Sequence, residues 1–270
     1  MRAIDINRHF LDLADWVDPE KTVDRVIIGD PEKEVRRVLV TWIASFEACR
    51  TAVQRGVDLL MTHEPTFWVH AHELENIETS PIAMAKRNFI ETTGLVVLRN
   101  HDVWDRMPRI GIPWAWARFL GFGDEPVKQG AAGYQHRYDI DLMALDELAA
   151  HVADRTATIG EPAVQVVGDG SRLVSRVGIG TGCCGHIGEF QAMGCEVAIV
   201  CDDGSCYWRD IQRAADQEYP VIRVNHGTSE EPGMVTLTRY INEHLPGVEA
   251  EHLPHGSCFR LVGSNEGEVP

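Results

Sequence analysis

Three short stretches of the chain place imidazole and carboxylate groups within a few residues of one another. They are Thr62-His63-Glu64-Pro65, Asn100-His101-Asp102-Val103-Trp104-Asp105 and Asn225-His226-Gly227-Thr228-Ser229-Glu230. Neutral imidazole nitrogen mixed with anionic oxygen suits Mn, Fe, Co, Ni or Zn better than calcium or a zinc held by thiolates. A single histidine is more often a core or surface residue than a ligand. Three such pairs, each just after an expected strand, point to a metal site, because strand ends in α/β folds are where a rigid scaffold presents ligands. His63 and Glu64 are adjacent and point apart on an extended chain, so each should face a different metal. His101 and Asp105 are four residues apart, as are His226 and Glu230, a spacing that puts each pair on one face if those residues open a helical turn. This set can serve two neighbouring ions joined by a bridging carboxylate, the arrangement of dinuclear hydrolases.

Positioning these groups requires a strand–helix–strand unit used twice. Residues 35–41 are rich in β-branched side chains and suit a buried strand. Ser45 can cap a helix whose apolar residues Phe46, Cys49, Ala52 and Val53 recur at helical spacing until Gly56 stops it. Residues 57–62 then read as a strand that carries His63 and Glu64 to its carboxyl end. The same pattern recurs in the second half, with a strand at 174–181, a helix at 187–193 ended by Gly194, and a strand at 195–201. Between the two units lie a helix at 82–89, a strand at 94–99 leading to His101 and Asp105, and an amphipathic helix at 114–120. A further helix carries Leu145, Leu148 and Val152, and a strand covers 163–167. The last part reads as a helix at 207–219, a strand at 220–224 delivering His226, a helix at 233–245 and a final strand at 257–262, with a frayed polar tail after Gly263. The expected fold class is α/β, with two related three-layer lobes and mixed or parallel sheets. The expected divisions are an N-terminal lobe over 1–128, a connecting segment over 129–170 and a C-terminal lobe over 171–270.

Composition narrows the function. The 25 Lys+Arg against 41 Asp+Glu give a formal net charge of -16, which repels polyanions and opposes a nucleic-acid binder. No run of about 18 apolar residues could cross a bilayer, and the N-terminus lacks the apolar stretch of a secretory signal. A cytoplasmic protein acting on a small molecule, with no membrane partner, is the expectation. Seven cysteines without an export signal read as reduced thiols. Cys183, Cys184, Cys195, Cys201 and Cys206 cluster in the sequence but form no C-x-x-C pair, so a thiolate metal site is disfavoured.

The chain resembles the Nif-three-like dinuclear metal proteins, often called GTP cyclohydrolase type two homologues. The resemblance rests on Thr62-His63-Glu64-Pro65, on His101 to Asp105, on the glycine-rich turn within 177–185 and on Asn225-His226 to Glu230, in that order along most of the chain. It implies His63, Asp105, His226 and Glu230 as metal ligands, with Glu230 as the bridge and His101 lining the site. Glu64 departs from the pattern by standing where the family has a second histidine. As a ligand it would favour Mn, Mg or Fe. The resemblance further implies two divalent ions (Mn, Fe or Zn), two similar α/β lobes and a toroidal homohexamer. Metal-activated water makes hydrolysis of a nucleotide-like or phosphorylated substrate the natural reaction, with His101 as the catalytic proton-transfer group.

Two other readings compete. Gly178-Ile179-Gly180-Thr181-Gly182 with Cys183-Cys184-Gly185 follows a strand and precedes a helix, with Asp202 at the next strand end, as in a dinucleotide-binding oxidoreductase. A non-catalytic metal carrier or regulatory scaffold would keep the ligands without a substrate pocket. A pocket lined by Trp68, Tyr134, His136 and Arg137 would favour the enzyme. His70, His72, His252 and His255 read as loop histidines, and Trp104, Trp114 and Trp116 as core or subunit-contact residues.

Overall fold

The computed structural model describes residues 1–75, 77, 80–130 and 132–262. In chain order the elements are α1 (Ala3–Asp12), β1 (Val26–Ile28), β2 (Arg37–Ile43), α2 (Phe46–Gln54), β3 (Leu59–Glu64), α3 (Pro81–Thr93), β4 (Val96–Arg99), α4 (Asp102–Arg106) and α5 (Ile112–Leu120). They continue with β5 (Lys128–Gln129), β6 (His136–Ala144), α6 (Leu145–Ala157), β7 (Gln165–Val167), β8 (Leu173–Ile179), α7 (Ile187–Ala192) and β9 (Val197–Cys201). A π-helical turn (Tyr207–Ile211), α8 (Gln212–Asp216), β10 (Val221–Val224), α9 (His226–His244) and β11 (Glu249–His252) complete the described chain.

The strands form two mixed sheets. The first runs β1-β4-β3-β2-β11, parallel except for β1, and the second runs β5-β6-β8-β9-β10-β7, with parallel pairing at β8-β9-β10. Strand alternation gives each sheet two apolar faces. Val38, Val40, Leu59 and Met61 pack against α1 and α9, while Leu39, Leu60 and Val97 pack against α2 and α3. In the second sheet Val177, Ile179, Val197 and Ile199 meet α5 and α6, and Ala198 and Val200 meet α7 and α8. Two three-layer α/β lobes result. Among the described residues no helix is long and apolar enough to cross a membrane.

Several elements differ from the sequence expectation. The lobes do not follow the linear divisions 1–128, 129–170 and 171–270. Strands β6 and β7 lie inside the expected connecting segment and belong to the second sheet, whereas α9 and β11 return from the second sheet to the first. The expected strand at 257–262 is an extended tail. The parallel edge beside β2 is taken by β11, with Glu249 opposite Arg37 and His252 opposite Val40. Helix α9 starts at His226 instead of 233 and carries Pro232 inside it, in its second turn. The expected helix at 207–219 is broken into the π turn, where the Ile211 N–H reaches back to the Cys206 carbonyl, and the short α8. The expected fraying after Gly263 lies outside the described residues.

Helix α5 is buried nearly all round and joins the cores: Ile112 belongs to the first and Trp116 and Leu120 to the second. Trp104, Trp114 and Trp116 are core residues, as the sequence suggests. His136 is fully buried, its ring edge-on to Trp114 at 4.4 Å, and burial pushes its pKa down to about 4. The unfolded chain therefore takes up this proton more readily than the fold does. The group costs nothing above pH 6.5 and destabilises the fold as pH falls from 6.5 towards 4. Urea titrations should show wild type losing stability relative to His136→Phe across that interval, with a constant offset above it. Parallel profiles throughout would mean that the fold accepts the proton.

Candidate metal centre

Three elements converge on one point. Strand β3 ends with His63 and Glu64, α4 opens with His101 as its N-cap and carries Asp105 one turn on, and α9 opens with His226 and carries Glu230 one turn on. Both four-residue spacings are realised as helical turns. His63 Nε2 lies 3.2 Å from Asp105 Oδ1 and 3.5 Å from Glu230 Oε2. His226 Nε2 lies 2.9 Å from Glu230 Oε2 and 3.5 Å from Glu64 Oε1. Two triads, His63-Asp105-Glu230 and Glu64-His226-Glu230, each gather their ligand atoms within 4.8 Å and share Glu230. The adjacent His63 and Glu64 thus serve different triads, as extended geometry requires, although both also fall in a third group with His101.

The donor set fits a divalent cation. His63 Nε2 and His226 Nε2 are buried and turned to the carboxylates of the cluster, with no partner outside it among the described residues. Burial opposes the imidazolium form at His226, but Glu230 and Glu64 outweigh it and hold its pKa up to about 10. At His63 burial is likewise overcome, chiefly by Glu230 and Asp105. Burial at Glu64 and Asp105 is outweighed by the surrounding imidazoles, and both carboxyls are held below their usual range. The site draws positive charge, and a metal would displace protons from the imidazoles.

Other groups hold these side chains in place. The indole N–H of Trp42 donates to Glu230 Oε2 at 2.8 Å, and the indole lies edge-on to His226. Arg99 is fully buried; it donates to the His63 carbonyl at 2.9 Å and lies 3.8 Å from Glu64. The Asp24 carboxylate accepts the N–H groups of His101, Asp102 and Val103 at 2.6 to 2.9 Å and so fixes the start of α4. None of the three was legible in sequence, because each reaches the site through the fold. His63 Nδ1 lies 3.2 Å from the Asn100 carbonyl, leaving Nε2 turned to the cluster.

His101 stacks on His63 with ring centroids 4.5 Å apart. Its Nδ1 meets Asp102 at 3.0 Å and Asp105 at 3.3 Å, while Nε2 lies 3.6 Å from Glu64. It borders the cluster and also belongs to two potential ligand groups. Of the expected pocket residues, Tyr134 packs against Arg106, whose guanidinium lies 5.6 Å from its ring centre. Trp68 packs instead over Lys86, Arg137 pairs with Asp139, and His136 is in the core. His70 and His72 are exposed, but His252 and the His255 backbone are both anchored on buried Glu231.

The glycine turn serves the cluster rather than a dinucleotide. A Cβ on Gly182, whose φ is +54°, would stand 2.9 Å from Glu230 Oε1 and 3.2 Å from His226 Nε2. A Cβ on Gly180 would meet the Cys184 carbonyl at 2.1 Å, so the turn folds closely on itself there. Asp202 caps α9 by accepting the His226 N–H at 2.6 Å. No potential ligand group among the described residues includes a cysteine.

The family model described as Duf34/NIF3 (NGG1p interacting factor 3) matches residues 18–255. The chain belongs to the NIF3 family. It is 26% identical over 235 residues to the GTP cyclohydrolase 1 type 2 homolog of Deinococcus radiodurans, covering 84% of this chain and 83% of that one. Among solved structures, Staphylococcus aureus protein SA1388 superposes with a TM-score of 0.79 at 18% identity, covering 97% of this chain and 99% of that one. A Bacillus cereus protein related to NIF3 gives 0.76 at 14% identity, with coverage of 97% and 99%. These likenesses show that the two-lobed architecture is the NIF3 fold.

Within this NIF3 chain, Trp42→Phe keeps an aromatic ring but removes the N–H that holds Glu230. Losing such an outer partner weakens metal binding about 10- to 100-fold, to be read by competition with a chelating dye. Unchanged affinity would show that Glu230 needs no orienting donor.

Proposed function

We propose that this chain binds two divalent metal ions, one at His63-Asp105-Glu230 and one at Glu64-His226-Glu230, and uses them to hydrolyse a small phosphorylated or nucleotide-like molecule. The observation that carries the reading is the sharing of Glu230 by two triads whose imidazole nitrogens lack other partners. The name of the Deinococcus relative is compatible with a nucleotide substrate. Such ions would lower the pKa of bound water and polarise a substrate oxygen.

The chain's own residues supply the rest. Glu230 Oε2 is oriented by Trp42, and Arg99 holds the end of β3 from below. His101, between Glu64 and the Asp102-Asp105 pair, is placed to move a proton at the edge of the cluster. Cytoplasmic residence and assembly into a toroidal homohexamer belong to the same proposal.

Elemental analysis of purified protein should find about two transition-metal ions per chain. Glu230→Gln should lose both and His226→Ala one; no bound metal after loading with Mn, Fe or Zn would overturn the reading. Once a substrate is found by screening phosphoesters and nucleotides, His101→Ala should retain metal while the rate falls about 10²- to 10⁴-fold. An unchanged rate would remove His101 from the chemistry.

A further inference from the structure

Between the outer strand of the second sheet and the C-terminal tail lies a cavity of about 570 Å³. One wall is the extended stretch 160–165, another is the end of β10, and the tail forms the third. A smaller cavity of about 140 Å³ shares Asp202, Asn225, Ser257 and Phe259 with it and continues to the first turn of α9. We propose that the larger cavity binds a small organic anion with a flat apolar body.

The free hydrogen-bond donors decide the kind of ligand. Glu161, Asp202, Arg223 and Arg260 line the cavity. Both carboxylates are engaged by the protein itself. Glu161 accepts the Asn225 N–H through both oxygens, at 3.0 and 3.1 Å, and Asp202 accepts the His226 N–H. The guanidiniums keep donors that are not used. Arg223 donates to Gln165 Oε1 at 2.9 Å, but its buried Nε meets no acceptor. Arg260 is exposed and forms no ion pair among the described residues. The formal charges of the lining balance, but its carboxylates already accept backbone N–H groups while guanidinium donors stay unengaged, so the recess offers free donors that an anion's oxygens would satisfy. Guanidinium forks match the oxygens of a phosphate, sulfonate or carboxylate.

The body of the ligand follows from the remaining walls. Pro162 and Val164 line one side, and Phe259 and Leu261, 72% and 64% exposed, offer apolar surface on the other. A flat ring would cover that surface, and the volume falls within the roughly 300 to 1,000 Å³ of small-molecule sites. None of the proposed metal ligands lines the larger cavity, although His226 lines the smaller one that continues from it.

Isothermal titration of the purified protein with naphthalene-1-sulfonate, a flat anion that hydrolysis cannot consume, tests this against 1-naphthol and inorganic sulfate. The sulfonate should bind saturably at one site per chain, about tenfold or more tighter than either comparator. Arg223→Gln and Arg260→Gln should each weaken it about tenfold, the size of one charge-assisted hydrogen bond. Arg260 lies on the exposed tail outside both sheets, so its variant tests the charge without disturbing the core. Absent binding, equal binding of 1-naphthol, or sulfonate binding unaffected by both substitutions would overturn the proposal.

Discussion

Three carboxylates crowded into a nearly closed space are the constraint around which this molecule is organised. The side chains of Glu64, Asp105 and Glu230 are 12%, 14% and 3% exposed and lie within reach of the same imidazoles. Burying like charges is unfavourable unless opposite charge or hydrogen-bond donors accompany them. The surroundings supply both. Arg99 lies buried beside Glu64, Trp42 donates to Glu230, and His63, His101 and His226 are all held above their ordinary pKa. The raised imidazoles show that this space draws positive charge.

That concentration depends on a chain path joining the two lobes. Helix α9 leaves β10 of the second sheet, and its Met234, Leu237 and Ile241 pack into the core of the first. β11 then extends the first sheet in parallel with β2. His226 and Glu230, encoded far from His63 and Glu64, are thereby delivered to them. The approach is close: a Cβ on Gly227 would stand 2.9 Å from the Trp42 ring, and one on Gly233 would stand 2.3 Å from Ile112. The same packing of α9 that joins the lobes carries two of the site residues, so core packing also sets their geometry.

Arg99 shows how the same scaffold serves two purposes. It ends β4 and donates to the carbonyls of His63 and His70, so one buried cation fixes both the strand end and the loop beyond it. Asp24 does the same for α4 through three backbone N–H groups, although burial and Asp102 push its own carboxyl up to about 6. Each is a costly buried charge placed where backbone direction, and hence ligand direction, has to be exact to a fraction of an ångström.

The sequence by itself determined the ligand types, their four-residue spacings and the strand–helix units that present them, because these depend on local periodicity and donor chemistry. His63, Glu64, His101, Asp105, His226 and Glu230 could all be named without coordinates. That Glu230 joins two triads was implied by the family resemblance and not by residue spacing, and only the tertiary structure decided that Trp42, Arg99 and Asp24 support the site. It also decided that 129–170 builds the second sheet and that β11, instead of 257–262, closes the first. The physical reason is range: a helical turn brings together residues four apart, but pairing across sheets and packing between lobes join residues whose proximity leaves no local mark in the chain.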